Sequence, residues 1–304
     1  MIGDSIKLGV WNVEWSRAGT RRGITVSKSL GELRSDILCV TEGYVGLLPP
    51  AGHSVLSEAD HGYQTTDDRR KVMLWSREPW SDIDSIGSPD LPSGRFVVGR
   101  TMTPIGPIRV VGVCIPWRDA HVRTGRRDRK PWQDHSDFIS RLGMLLSQLD
   151  DSIPIIIFAD FNQRVPRISQ PLLVFDQLQA AFADRFIAAT AGVLPGVNEP
   201  SIDHVALSRQ LAASELQTFN GTSEDGQHLS DHFGLSLRLR LIKSIAPIMI
   251  RARMYAGLND GTMNTGSLIE DERLKFILPQ SCCYCGTRTR LSLDHLFAHK
   301  VRRC

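Results

Sequence analysis

Short apolar runs rich in β-branched residues recur along the chain up to about residue 241, and several of them end on a polar side chain. They predict strands at 6–13, 37–41, 71–76, 95–102, 108–115, 154–159, 202–207 and 233–241. Turn signals separate some of them, PSG at 92–94 and PIGP at 104–107. Helical periodicity predicts helices at about 25–35, 136–150 and 173–183. In the second, Phe138, Leu142, Leu145, Leu146 and Leu149 recur at helical spacing behind Ser136 as N-cap. Strands that follow one another in pairs, with occasional helices between, predict an α/β protein: two mixed sheets packed face to face with helices outside.

After Leu241 the pattern changes. Residues 242–270 read as a short helix followed by a Gly-, Asn- and Thr-bearing linker, and 271–304 as a small appended Cys/His module. Residues 1–241 are therefore expected to form the main, catalytic domain. No internal repeat is visible.

Composition changes this picture little. With 304 residues, 41% apolar and 23% charged, the chain is long enough for a full core and ordinary for a soluble globular protein. A net charge of +3 gives no global polyanion-binding signature, so any nucleic-acid argument rests on local clusters. The N-terminal MIGDSIKLGVWNVEW lacks the basic start and long apolar stretch of a secretory signal, and runs such as IPIIIF are too short to span a membrane. Cys39 and Cys114 sit inside apolar runs, while Cys282, Cys283, Cys285 and Cys304 cluster at the end. That skew predicts a local metal site in a reducing, cytoplasmic setting rather than a disulfide framework.

The polar strand tips carry the chemistry. LGVWNVEW holds Asn12 and Glu14, ILCVTEGY holds Glu42, and IPIIIFADFNQ holds Asp160 and Asn162. SIDHVALS holds Asp203, and HLSDHFGL holds Asp231 and His232. Burying an unpaired charge at a strand end is costly, so several such tips together predict carboxylates that share a metal ion around a reacting phosphate. Singly, each has a plainer reading: Asn12 as a satisfied strand end, Asp203 as a turn cap, Asp160 and Asn162 as an Asx-type loop. Oxygen donors suit Mg²⁺ or Mn²⁺ rather than zinc, and a histidine held by a carboxylate has a fixed tautomer and a raised pKa.

In the order WNVEW, TEGY, ADFN, SIDHV, SDHFG, these motifs resemble the endonuclease/exonuclease/phosphatase superfamily, whose fold is the DNase I-like four-layer α/β sandwich. The resemblance covers most of residues 6–241. It implies that Glu42 binds the catalytic Mg²⁺ beside Asn12, with Glu14 and Asp231 as further metal-site residues. It implies that Asp160 orients or deprotonates the attacking water, and that Asn162 holds the phosphate. His232 then contacts the scissile phosphate, oriented by Asp203. Two departures stand out: Ala159 replaces the usual glycine before Asp-x-Asn, and Cys114 stands where many members place a His or Tyr facing the phosphate. A thiol is a poor phosphate contact, so that role is either lost or supplied by a neighbour such as Trp117 or Arg118.

The next segment, WRDAHVRTGRRDRKPWQDH, carries Arg118, Arg123, Arg126, Arg127, Arg129 and Lys130, with Trp117 and Trp132 at its ends. It is expected to grip a phosphate backbone with bidentate arginines and stacked aromatics, although Asp119, Asp128 and Asp134 partly offset the charge. In the tail, Cys282 and Cys285 form a C-x-x-C pair suited to Zn²⁺ with Cys304 or a histidine. That knuckle followed by Asp294-His295 resembles the start of an HNH endonuclease. The family's usual second knuckle and metal-binding helix do not follow, which implies either a truncated relic or a small zinc-binding module that contacts DNA. The expected function is a Mg²⁺-dependent nuclease acting on DNA by in-line attack of water. A phosphatase or phosphodiesterase on a small or lipid phosphoester, and a non-catalytic nucleic-acid-binding protein, stand as alternatives.

Overall fold

The computed structural model describes residues 4–64 and 68–242; the expectations for the linker and for Cys282, Cys285, Cys304, Asp294 and His295 lie outside the described residues. The chain begins with a β-α-β unit: β1 (Ile6–Asn12), α1 (Arg21–Glu32) and β2 (Ile37–Tyr44). Then come β3 (His53–Leu56), β4 (Arg69–Ser76), β5 (Trp80–Asp84) and the hairpin β6 (Phe96–Thr103) and β7 (Gly106–Cys114). A second β-α-β unit runs from β7 through α2 (Gln133–Gln148) to β8 (Ile155–Asp160). The rest is α3 (Leu172–Phe182), β9 (Phe186–Ala188), β10 (Asp203–Ser208), β11 (Leu211–Phe219) and β12 (Gly234–Leu241).

The strands make two six-stranded sheets, ordered β11-β12-β1-β2-β4-β3 and β5-β6-β7-β8-β10-β9. Each has one parallel pair at its centre, β1 with β2 and β7 with β8, where a helix carries the chain back. All other pairings are antiparallel. Strand alternation sorts the apolar side chains into layers. Ile6, Leu8 and Val10 of β1 and Ile156 and Phe158 of β8 enter the core between the sheets. Ile155 and Ile157, the alternate residues of β8, meet Phe138, Ile139, Leu142 and Leu146 of α2 and Leu178 and Phe182 of α3. On the opposite face Val26 and Leu30 of α1 cover Trp11, Leu38, Val40 and Met73. The sequence IIIF is apolar throughout because β8 is buried on both faces. The result is the expected four-layer α/β sandwich.

Two expectations need correction. Ser136 does not cap α2: its N–H donates to the Trp132 carbonyl at 2.9 Å, so the helix is already under way. Trp132, with φ 69°, starts it without a side-chain cap, and Asp134 in the first turn complements the helix dipole instead. In α1 the start moves to Arg21, because Thr20 Oγ1 accepts from Gly23 N at 3.1 Å.

Candidate active site

Strand ends from both sheets converge on one edge of the sandwich. The β1–β2 register sets Asn12 beside Thr41, so Glu42 follows just past it, with φ 51° turning the chain. Across the sandwich the registers align Cys114 with Asp160 and Asp160 with Asp203, which places three polar side chains in a row across β7, β8 and β10. The two sheets are joined here by a hydrogen bond: Asn12 Nδ2 donates to Asp160 Oδ2 at 3.1 Å. Asp160 Oδ1 accepts from Asn162 N at 3.0 Å, and the Cys114 thiol lies 3.8 Å from Asp160 Oδ2. Asn162 Nδ2 donates to the Ile115 carbonyl at 2.9 Å, leaving its second amide hydrogen free.

The loop before β12 brings in the histidine. Ser230 Oγ donates to the Asn12 carbonyl at 2.6 Å and accepts from His232 N at 3.0 Å, while Trp11 Nε1 donates to the His232 carbonyl at 3.1 Å. His232 Nδ1 meets Asp203 Oδ2 at 2.5 Å, which directs Nε2 outward, 3.7 Å from Asp231 Oδ1. Burial opposes charge on His232, but Asp203, then Asp160 and Asp231, outweigh it and push its pKa up to about 10. Burial and the neighbouring Asp203 charge push Asp160 up from the usual carboxylate range. The site thus pairs a persistent imidazolium with a carboxylate that readily takes up a proton. A cleft of about 420 Å³, lined by Arg164, Asn198, Asp203, Asp231, His232 and Phe233, opens beside the imidazole.

Glu42, Cys114 and Asp160 offer donor atoms within 4.8 Å of one another, a spacing that fits one divalent ion. The carboxylates suit Mg²⁺ or Mn²⁺; the thiol does not add to that preference. Glu14 and Asp231 stand further out. Glu14 pairs with Arg22 at 3.0 Å and His228 at 2.7 Å, and accepts from Asp231 N at 3.2 Å, while the Asp231 side chain is exposed.

The arginine-rich segment connects β7 to α2 and is partly neutralised within itself. Arg129 binds Asp134 at 2.6 Å, Arg126 reaches Asp128 and Asp134 at 3.4 Å, and Arg118 lies 3.7 Å from Asp119. Arg123, Arg127 and Trp117 are exposed. Stacked rings tie this loop to the site: Trp15 on His61 at 5.7 Å, His61 on Tyr63 at 5.8 Å, and Tyr63 on His121 at 4.3 Å.

Sequence reasoning missed two buried cations. Lys71, first in the run KVMLWS, pairs with Glu42 and lies 4.9 Å over the Trp15 ring. Arg95, first in RFVVG, donates to the Cys114 carbonyl at 3.2 Å and is 2% exposed. A basic residue at the head of an otherwise apolar run was the available signal for both. A cationic rim also escaped notice, with Arg69 4.4 Å over Trp15 and 5.5 Å over Tyr44, and Arg17 5.8 Å over Tyr44.

A four-layer sandwich with clustered carboxylates, an amide and a carboxylate-held histidine at one edge defines a metal-dependent phosphoesterase. The model of the Endonuclease/Exonuclease/phosphatase family matches residues 9–232, and the chain belongs to that family. Among curated proteins none matches the sequence. Solved structures share the fold at low identity. An AP endonuclease from Archaeoglobus fulgidus is 16% identical, with 76% of this chain and 98% of that chain covered and a TM-score of 0.56. The 3′ phosphatase NExo from Neisseria, bound to a product DNA hairpin, is 17% identical, with 76% and 98% covered and a TM-score of 0.57. An endonuclease/exonuclease/phosphatase from Beutenbergia cavernae is 13% identical, with 79% and 72% covered and a TM-score of 0.56. No helix among the described residues is long and apolar enough to cross a membrane.

Proposed function

We propose that this enzyme is a Mg²⁺- or Mn²⁺-dependent nuclease that hydrolyses phosphodiester bonds in DNA. The observation that carries the reading is the row formed by Asp160, Asp203 and His232 beside Glu42, with His232 Nδ1 2.5 Å from Asp203. Glu42 and Asp160, with Asn12 beside them, would hold the ion, and Glu14 and Asp231 would act from its periphery. When bound, the ion would polarise a non-bridging phosphate oxygen and stabilise the leaving oxygen. Asp160, set between Cys114 and Asp203 across the strand ends, is placed to orient the attacking water or take its proton. The free hydrogen of Asn162 Nδ2 and the His232 imidazolium would bind the remaining phosphate oxygens as negative charge develops. Asp203 keeps the imidazole protonated and its Nε2 turned outward. Water oxygen bonds to phosphorus, the ester P–O bond breaks, and the leaving oxygen takes up a proton.

Three features support a nucleic-acid substrate: the exposed Arg123 and Arg127, the aromatic-cationic rim of Trp15, Tyr44, Arg17 and Arg69, and the DNA hairpin bound by a protein of the same fold. The internal pairing of Arg118, Arg126 and Arg129 favours a second reading, a small phosphoester, because it leaves less free charge for a polymer. A cleavage assay separates them, using plasmid, duplex, single-stranded DNA, RNA and soluble phosphoesters with Mg²⁺, Mn²⁺ or EDTA. DNA cleavage abolished by EDTA and by Asp160→Ala is expected. Release of phosphate from small esters with all nucleic acids intact would replace the nuclease reading with the second.

A further inference from the structure

The β2–β4 register sets Thr41 opposite Val72 and Gly43 opposite Arg70, which brackets Glu42 and Lys71 as cross-strand neighbours. The Lys71 side chain is 10% exposed and its ammonium rests on Oε1 of Glu42, the carboxylate that the first sheet contributes to the three-residue cluster. Trp15 closes over the ammonium at 4.9 Å. The rest of the site repeats this balance. Arg95 lies buried with its guanidinium 4.0 Å from Cys114 Sγ, and His232 is paired with Asp203. The three inner carboxylates, Glu42, Asp160 and Asp203, thus have three cations set among them, Lys71, Arg95 and His232, and Asp231 adds an exposed carboxylate at the edge. Little of the negative charge close to Glu42 is left unopposed to attract a divalent ion. An ammonium and a divalent ion on one carboxylate repel each other strongly at partly buried sites.

We infer that Lys71 is a resident counterion of the metal site, held on Glu42 until a divalent cation displaces it. Metal binding is then an exchange of one cation for another rather than the filling of an empty acidic pocket. The ion binds weakly to the free enzyme, and the displaced ammonium remains as positive charge at the rim of the phosphate site. The inference rests on the metal site of the proposed function, but its test needs no substrate.

Free Mn²⁺ counted by electron paramagnetic resonance gives the affinity of wild type, Lys71→Gln, Lys71→Arg and Glu42→Gln. The glutamine variant, which keeps every donor and loses the competing charge, should bind Mn²⁺ at least ten-fold more tightly, and Lys71→Arg should stay near wild type. Glu42→Gln should lose the site. A folded Lys71→Gln with unchanged or weaker affinity overturns the inference. In wild type itself, saturating Mg²⁺ should change the emission of Trp15 as the ammonium leaves its ring, and Trp15→Phe should remove that change. Absence of any Mg²⁺-dependent emission change at saturation also overturns the inference. If wild type binds Mn²⁺ yet cleaves no phosphoester, the functional reading fails alone. If cleavage is metal-dependent but Lys71→Gln binds Mn²⁺ no better, the exchange fails alone.

Discussion

Replacing Asp203 with Asn tests the charge arrangement at its centre. The change keeps the size of the side chain and removes the charge 2.5 Å from His232 Nδ1. The rise of His232 from 6.5 to about 10 represents about 5 kcal/mol in favour of the imidazolium, at about 1.4 kcal/mol per tenfold. Burial works against that rise, and Asp203 is the strongest group working for it, so its loss should remove more than half of the preference. His232 should then titrate near or below neutrality. Because the Asp203 charge also pushes Asp160 up, the substitution should leave Asp160 easier to ionise, so lost activity cannot be assigned to a protonated base. The expected loss in kcat at pH 7.5 is on the order of 10²–10⁴, the range for removing one positioned charge or proton donor. An imidazole NMR titration of wild type and variant reads His232 directly, and kcat measured in parallel reads its consequence. A His232 pKa that stays above 9 in Asp203→Asn, or an unchanged kcat, would refute the arrangement. The stability consequence has a definite sign. A folded pKa above the unfolded value stabilises fully below about pH 6.5, and that stabilisation is lost as pH rises through about 10. The gap in stability between wild type and Asp203→Asn should therefore narrow as pH rises over that window.

His135 and His204 give the opposite pH dependence. Both are fully buried and held down to about 4 by burial, so their stabilisation is present above pH 6.5 and lost as pH falls toward 4, by up to about 3 kcal/mol each. Urea denaturation should show a steep loss over that interval, reduced in His135→Gln; a flat profile would contradict it. Gly221→Ala should disturb the loop that carries His232, because its Cβ would lie 2.0 Å from the Ser230 carbonyl oxygen and 2.7 Å from that of His232. A loss of about 2–4 kcal/mol in stability is expected, with activity falling in the protein that remains folded, and a neutral thermal melt would count against it. Arg123→Ala with Arg127→Ala should weaken DNA binding at low salt and lower the salt slope by about one per contact removed, with cleavage of a small ester unchanged. An unchanged slope would place the DNA path elsewhere.

The eight strands legible in the sequence are the eight interior strands of the two sheets, and the four that escaped notice, β3, β5, β9 and β11, are the four edges. The reason is physical. An interior strand is covered on both faces or at least flanked on both sides, so β1, β8 and β10 are written as apolar runs. An edge strand needs only backbone pairing, and β5 and β11 leave nearly all side chains at least partly in solvent, so WSDID and LAASELQTF carry no hydrophobic signature. Site residues follow a related rule. Asp160, Asp203 and His232, which the structure brings together at one edge, stood out because a carboxylate or imidazole at the tip of an apolar run is out of place. Lys71 and Arg95 instead head the apolar runs KVMLWS and RFVVG, where a basic residue passes for an ordinary solvated start. Their meaning depends on which carboxylate lies across the sheet, and register is a tertiary property.

That dependence on register also bears on Cys114, which aligns with Asp160 across β7 and β8. A thiol there neither neutralises charge nor donates strongly, and burial pushes its pKa well up, so it stays neutral. The positive charge comes instead from Arg95, just ahead of β6, whose carbonyl accepts from Cys114 N at 3.0 Å, and from Lys71, within β4 of the other sheet. The two cations thus come one from each sheet. Cys114→His would add a bulky ring between Arg95 and Asp160 where the thiol now lies 3.8 Å from Asp160 Oδ2. It should therefore lower activity rather than restore a familiar contact, while Cys114→Ser, close in size, should keep it within a few-fold. A gain of activity in Cys114→His would show that the flanking cations do not serve the phosphate.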